Sequence, residues 1–101
     1  MKIVVTNRAK KRIASAREYL EKNFYLEYGR NFEDKVIQTI RLLADNPDIG
    51  HEAFPRLNRP ELRKLLCEHY SYWIYYRRKK TVCEILSVRH TLMNIQSPRN
   101  L

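Results

Sequence analysis

Seven basic residues, Arg63, Lys64, Arg77, Arg78, Lys79, Lys80 and Arg89, are threaded through the aromatic stretch Glu61 to Ile95, ELRKLLCEHYSYWIYYRRKKTVCEILSVRHTLMNI. Guanidinium and ammonium groups beside Tyr and Trp can hold phosphates while the rings stack on bases, the chemistry of nucleic-acid-binding sheets. The same mixture anchors extended peptides at protein interfaces. On the residues alone both uses stay open. Two other pairs have reactive side chains. His51 and Glu52 offer acid/base or metal-binding groups, but no third ligand lies at supporting spacing, so they read as an exposed loop pair. Cys67 and Cys83 lack metal-ligand or disulfide-framework spacing and read as reduced, half-buried strand residues. No metal and no cofactor is expected.

The elements that must position this stretch follow from periodicity. Lys2 to Val5 is a β-branched run that predicts a first strand, with Thr6 or Asn7 capping the helix after it. Ala9, Ile13, Ala16, Leu20 and Phe24 fall on one helical face, and Gly29 is a natural terminator, so the first helix is expected to end near Tyr28 and Gly29. A second helix is expected from Asn31, where Asp34 completes a capping box, with Phe32, Val36, Ile40 and Leu43 as its stripe. Pro47 closes it. The short connection predicts an antiparallel helix hairpin. The loop NPDIGHEAFPRLNRP, residues 46 to 60, then leads to three strands, Leu62 to Cys67, Tyr72 to Arg77 and Thr81 to His90, joined by tight turns. The fold class is therefore α+β: an N-terminal strand and a two-helix antiparallel hairpin packed on an antiparallel β-meander. In the middle strand Tyr72, Ile74 and Tyr76 share one face, while Trp73, Tyr75 and Arg77 share the other. Alternation does not decide which face meets the helices; the other is expected to be partly open, aromatic and rimmed by Arg.

Composition limits the function classes. The 101 residues suit one domain, residues 1–101, and the 44% hydrophobic share with only 2 Gly and 4 Pro excludes a disordered or collagen-like chain. The net charge of +9 requires a negatively charged partner without naming it. Residues 1–30 carry eight Lys/Arg against three Asp/Glu and residues 61–101 the same eight against three, while the middle is neutral. No window approaches about 18 apolar residues, and the short apolar run near Met1 cannot form a signal-peptide core, so a cytoplasmic protein with no membrane partner is expected.

The order strand, helix, helix and three antiparallel strands, ending in YSYWIYYRRKKTVCEILSVRHTLMNI, resembles the RelE/ParE superfamily of bacterial type II toxins, and its ParE branch in particular. Leu62 and Arg63 match the Leu-Arg pair opening the second strand of that branch, and His90, Met93 and Asn94 match its closing residues. Asn94 stands where the branch usually has Asp, and Leu92 where it often has Arg. The resemblance implies a toxin that poisons DNA gyrase without nuclease residues, depends on the segment Arg89 to Leu101, and is neutralised by an acidic cognate antitoxin (ParD-like or similar) that folds onto it. It assigns target binding to Arg63, Tyr76, Arg77, Arg89, His90, Met93 and Asn94, and expects no catalytic residue.

The RelE-like alternative is a metal-independent endoribonuclease acting on mRNA at the ribosome. Such an enzyme needs a base, an acid and cationic clamps within hydrogen-bond reach of one phosphate. Glu68 as base, His90 as acid, and Arg63 or Arg77 as clamp would fill those roles. Against it, Glu68 stands where the nuclease branch places a strand Arg, and no Tyr follows Tyr76. A third possibility is a plain basic nucleic-acid-binding module, whose affinity would fall steeply with salt. Ser97 to Leu101, with its Ser, Pro and Asn, has the composition of a loosely held tail.

Overall fold

The computed structural model describes all residues, 1–101. Strand β1, Lys2–Val5, is followed by helices α1, Asn7–Asn23, and α2, Leu26–Asp45; then come β2, His51–Glu52, β3, Leu62–Cys67, β4, Tyr72–Arg78, and β5, Val82–His90. The sheet order is β1-β5-β4-β3-β2. β3, β4 and β5 form the expected antiparallel meander, and β1 joins its far edge parallel to β5, with Lys2 opposite Val82 and Val5 opposite Ile85. The α+β class therefore holds. The loop expected over residues 46–60 contributes a two-residue strand, β2, with His51 opposite Lys64 and Glu52 opposite Arg63; both acid/base candidates of that loop are exposed there. No helix is long and apolar enough to cross a membrane.

Thr6 caps α1 as expected: its hydroxyl accepts from the Ala9 amide at 3.2 Å and donates to the Ile85 carbonyl at 2.7 Å, tying the helix start to β5. The hairpin boundary differs from the sequence expectation. α1 ends at Asn23, whose side chain donates to the Tyr19 carbonyl at 2.8 Å, and α2 begins at Leu26, five residues before Asn31 and without a side-chain cap. Phe24, assigned to the core stripe, lies beyond the helix and is 59% exposed. Gly29 is inside α2 with ordinary helical backbone; a Cβ there would sit 2.8 Å from the Arg17 carbonyl oxygen of α1. Its role is close helix contact rather than termination.

The face question is resolved by burial. Tyr72, Ile74 and Tyr76 pack with Cys83, Ile85 and Val88 against Ala9, Ala16, Leu20, Phe32, Val36, Ile40 and Leu43 of the helices. A bulge opposite Tyr75/Tyr76 puts Leu86 out of register on β5, so that Ile85 and Val88, three residues apart, both reach this core. The opposite face is roofed around Tyr75, while Trp73 and Arg77 on either side of it stay partly exposed. Phe54, Leu62, Tyr75 and Leu101 form a second buried cluster, with the Phe54 and Tyr75 rings stacked at 6.0 Å, and Lys64 lies over the Trp73 ring at 4.3 Å. An apolar pair supplied by the loop and the tail outcompetes water for this surface, because Tyr75 leaves a large area to cover. Cys67 and Cys83 are free and wholly buried rather than half-buried.

Burial raises the pKa of both thiols and of the Tyr72, Tyr75 and Tyr76 phenols, because the charged form loses its hydration. In the unfolded chain these groups titrate near their ordinary values of 9.0 and 10.0. Above those values the folded state holds more protons than the unfolded state, so stability falls with rising pH. The contribution is complete below pH 9 and is lost as pH climbs through the raised values. The expected result is a urea midpoint that drops between about pH 8 and about pH 10.5; an unchanged or rising midpoint contradicts the burial of these groups.

Candidate functional site

The residues singled out from the sequence fall in three separate places. At the first, Tyr76 and Arg63 face each other across β4 and β3 and hold the loop after α2. Tyr76 is wholly buried; its hydroxyl donates to the Pro47 carbonyl at 2.8 Å and accepts from the Gly50 amide at 3.0 Å. Arg63 donates to the carbonyls of Gly50, of Asp48 at 3.3 Å and of Pro60 at 3.4 Å. Neither is a free contact surface: the target-binding role assigned to Tyr76 is corrected to a structural one, and the Arg63 guanidinium is occupied by main-chain oxygens.

At the second place Arg77 and Arg89 flank the tail on the outer sheet face. Arg77 pairs with Glu84 at 3.6 Å, and with Arg8, Thr6, Leu86, Pro98 and Leu101 it lines a cleft of about 260 Å³. Arg89 donates to the main-chain oxygens of Asn100 and Leu101, each at 3.3 Å, and approaches the Met93 sulfur at 3.5 Å. Burial, and after it the Arg12 guanidinium, lower the Arg89 pKa from its ordinary value. The tail is not loosely held: residues Pro98–Asn100 form a 3-10 turn, and Leu101 is 3% exposed.

The third place is a groove of about 590 Å³ at the end of the sheet where the helix hairpin bends. His90 and Met93 line it with Tyr19, Phe24, Tyr28 and Tyr70, aromatic residues from the helices and the β3–β4 turn that sequence periodicity had placed in no site. Their only sequence signal is the density of rings in Phe24, Tyr25 and Tyr28 at the hairpin bend. The His90 ring meets Tyr72 edge-on at 5.1 Å, and its Nδ1 accepts from the Leu92 amide at 3.1 Å, so one ring nitrogen is already committed. Asn94 is exposed on a different cleft, beside Phe54 and Pro55.

The four nuclease candidates are not brought together. Tyr72 lies between Cys67 and His90 in the ladder, so Glu68, in the turn just beyond Cys67, is two strand spacings from His90, about 10 Å. Arg63 and Arg77 lie near the opposite end of β3 and β4, four and five residues along from Tyr72's level, about 13 to 17 Å away. One phosphate cannot touch base, acid and clamp across such distances. No group of three or more His, Cys, Asp or Glu side chains is placed to hold a metal ion.

No curated protein matches the chain. Among solved structures, the chromosomal ParDE TA system from P. aeruginosa has a chain that superposes with a TM-score of 0.75 over 89% of this chain and 95% of that one, at 17% identity, a likeness of fold. The family model described as the ParE toxin of type II toxin-antitoxin system, parDE, matches residues 3–95, from β1 through β5 and the groove residues His90 and Met93. Spanning nearly the whole of the strand, hairpin and meander, that match identifies the chain as a member of the ParE toxin family.

Proposed function

We propose that this toxin acts by gripping a macromolecular target, DNA gyrase in its complex with DNA, and breaks no covalent bond itself. The observation that supports this most is the dispersal of Glu68, His90, Arg63 and Arg77 over opposite ends of the sheet, which leaves no proton relay around a single phosphate. A poison that traps a protein–DNA intermediate needs only a complementary surface, and the net charge of +9 suits one that is partly nucleic acid. Neutralisation follows from an acidic antitoxin segment that is disordered alone and folds as it covers the toxin, its apolar side chains entering the aromatic groove beside His90. The same charge accelerates that encounter.

The test is a supercoiling assay with purified protein beside a translating extract. Inhibition of supercoiling, accumulation of cleaved DNA and release of both by the antitoxin are expected, and Glu68→Gln leaves the inhibition within about twofold, whereas His90→Gln, in the groove, is read for message cleavage alone. Cleavage of messages on ribosomes that disappears in either variant overturns the proposal in favour of the endonuclease reading. Strongly salt-sensitive nucleic-acid binding without either activity overturns it in favour of a plain binding module.

A further inference from the structure

The groove beside His90 sits within an apolar patch that extends past its walls. Leu92 on its rim is 88% exposed, and Tyr19, Phe24, Tyr25 and Met93 are each 48–59% exposed. Tyr25 joins the groove through Tyr28, their ring centres 5.5 Å apart. At about 200 Å² for a fully open aromatic residue, these five leave roughly 600 Å² uncovered, the upper limit of what a soluble monomer ordinarily leaves to water. Half-buried Tyr28 and Tyr70 and exposed His69 add to it. The patch therefore comes near the roughly 800 Å² that each partner gives to a standard specific interface. Its charge is also unlike that of the rest of the chain. The segments carrying the lining, residues 18–28, 68–72 and 90–96, hold four carboxylates and one lysine in a molecule of net charge +9. Phosphates are not drawn to such a rim.

We infer that the free toxin pairs with a second copy of itself through this face, the Leu92 side chain of each copy entering the aromatic groove of the other. Leu92 stands out beside the cavity of about 590 Å³, so knob and hole are neighbours on one surface. A twofold interface requires that arrangement, since each copy must offer what it receives. The charges permit it. Arg77 to Lys80 and Lys2 lie at the other end of β4 and β5, about 20 Å from Tyr72 and His90, so copies that meet at the groove keep their basic ends apart. Salt screens the repulsion that remains across such distances. Leu92, where the ParE branch often has Arg, makes the pairing a property of this chain's own sequence. The pair is closed and cannot grow, and it occupies the groove that the proposed function gives to the antitoxin, so antitoxin binding splits it. The inference rests on that groove being a docking surface, but its test needs neither gyrase nor antitoxin.

Sedimentation equilibrium of the full chain from about 1 to about 200 µM tests it. The mass is expected to rise with concentration from 12.3 kDa towards twice that value and to stop there. Leu92→Arg should raise the dissociation constant at least tenfold, because a charge then enters an apolar groove at the centre of the contact. The control Ile37→Arg adds the same charge at another exposed apolar residue, on α2 and outside the groove, and should change the constant less than twofold. Both positions are open to solvent, so neither variant is expected to unfold. The two methionines supply a second reading: with methyl-labelled Met, the Met93 signal should shift as the protein is concentrated, while that of Met1, beside Cys83 at the far end of the sheet, stays in place. A mass of one chain throughout the range overturns the inference. So does equal weakening by the two variants, growth beyond two chains, or a Met93 signal that does not move while the mass doubles.

Discussion

Tyr76→Ala is expected to lower the unfolding free energy by about 3–5 kcal/mol, the range for removing a large aromatic side chain from a core that cannot collapse around the gap. Tyr76 is wholly buried at the centre of β4, and Gly50 approaches its ring so closely that a Cβ on Gly50 would lie 2.9 Å from Tyr76 Cε1 and 2.7 Å from its hydroxyl oxygen. The hydroxyl also ties down the loop, accepting from the enclosed Gly50 amide and donating to Pro47. Tyr76→Phe separates the two contributions: the ring stays, two polar groups lose their partner, and the expected cost is about 1–3 kcal/mol. At about 4 °C per kcal/mol for a domain of this size, the Ala variant should melt about 12–20 °C below the parent, with Phe between them. Urea and thermal unfolding check this. If Ala and Phe are equally mild, Tyr76 is not a packing centre. Because Tyr76 touches loop rather than solvent, the Phe variant should keep its inhibitory action at temperatures where it is folded.

Why Tyr76 reads as a target contact from sequence, and as a core residue in the fold, shows where the sequence stops being informative. Of the two expected stripes, Ala9, Ala16, Leu20, Phe32, Val36, Ile40 and Leu43 are buried and Ile13 is half-buried against the same core, because helical periodicity reports burial directly; Phe24, past the end of α1, is the exception. The meander was legible from its β-branched and aromatic runs and their turns. In β4 both faces are aromatic, and alternation carries no sign, so whether Tyr76 or Tyr75 faces the helices required the helices themselves. Both turn out to be buried, since Phe54 from an irregular loop and Leu101 from the tail roof the second face. Those two covers lie 21 and 26 residues from Tyr75 in the chain, a separation no local pattern encodes. Of the residues lining the candidate groove, His90 and Met93 could be singled out from the sequence, whereas Tyr19, Phe24, Tyr28 and Tyr70 come to it only because the hairpin bends at Phe24 and Tyr25.

Gly29 was misread for a related reason, and it carries the second large effect. Gly ends helices so often that its presence after an aromatic run suggests a stop, yet here α2 runs through it. Gly29→Leu should cost about 3 kcal/mol, near the upper end for inserting side-chain volume into a filled contact. Two influences oppose each other. Leu or Ala in place of Gly favours helix by up to about 1 kcal/mol per residue. Against this, the new Cβ meets the Arg17 carbonyl oxygen at 2.8 Å and the Glu21 side chain more closely still. Glu21 can swing aside, giving up its 2.7 Å ion pair with Arg17, but the carbonyl is fixed by its own helix. The helices must therefore move apart, which also strains the 3.2 Å pair between Arg17 and Glu33 one turn further along. For Ala the clash and the propensity gain partly cancel, leaving a loss of about 1 kcal/mol; for Leu the extra carbons have no space to occupy. At about 4 °C per kcal/mol the Leu variant should melt about 12 °C lower, with its helical circular dichroism intact before the transition. A melting temperature that rises in both variants would mean that helix propensity governs this position and that α1 and α2 are not held at the separation described.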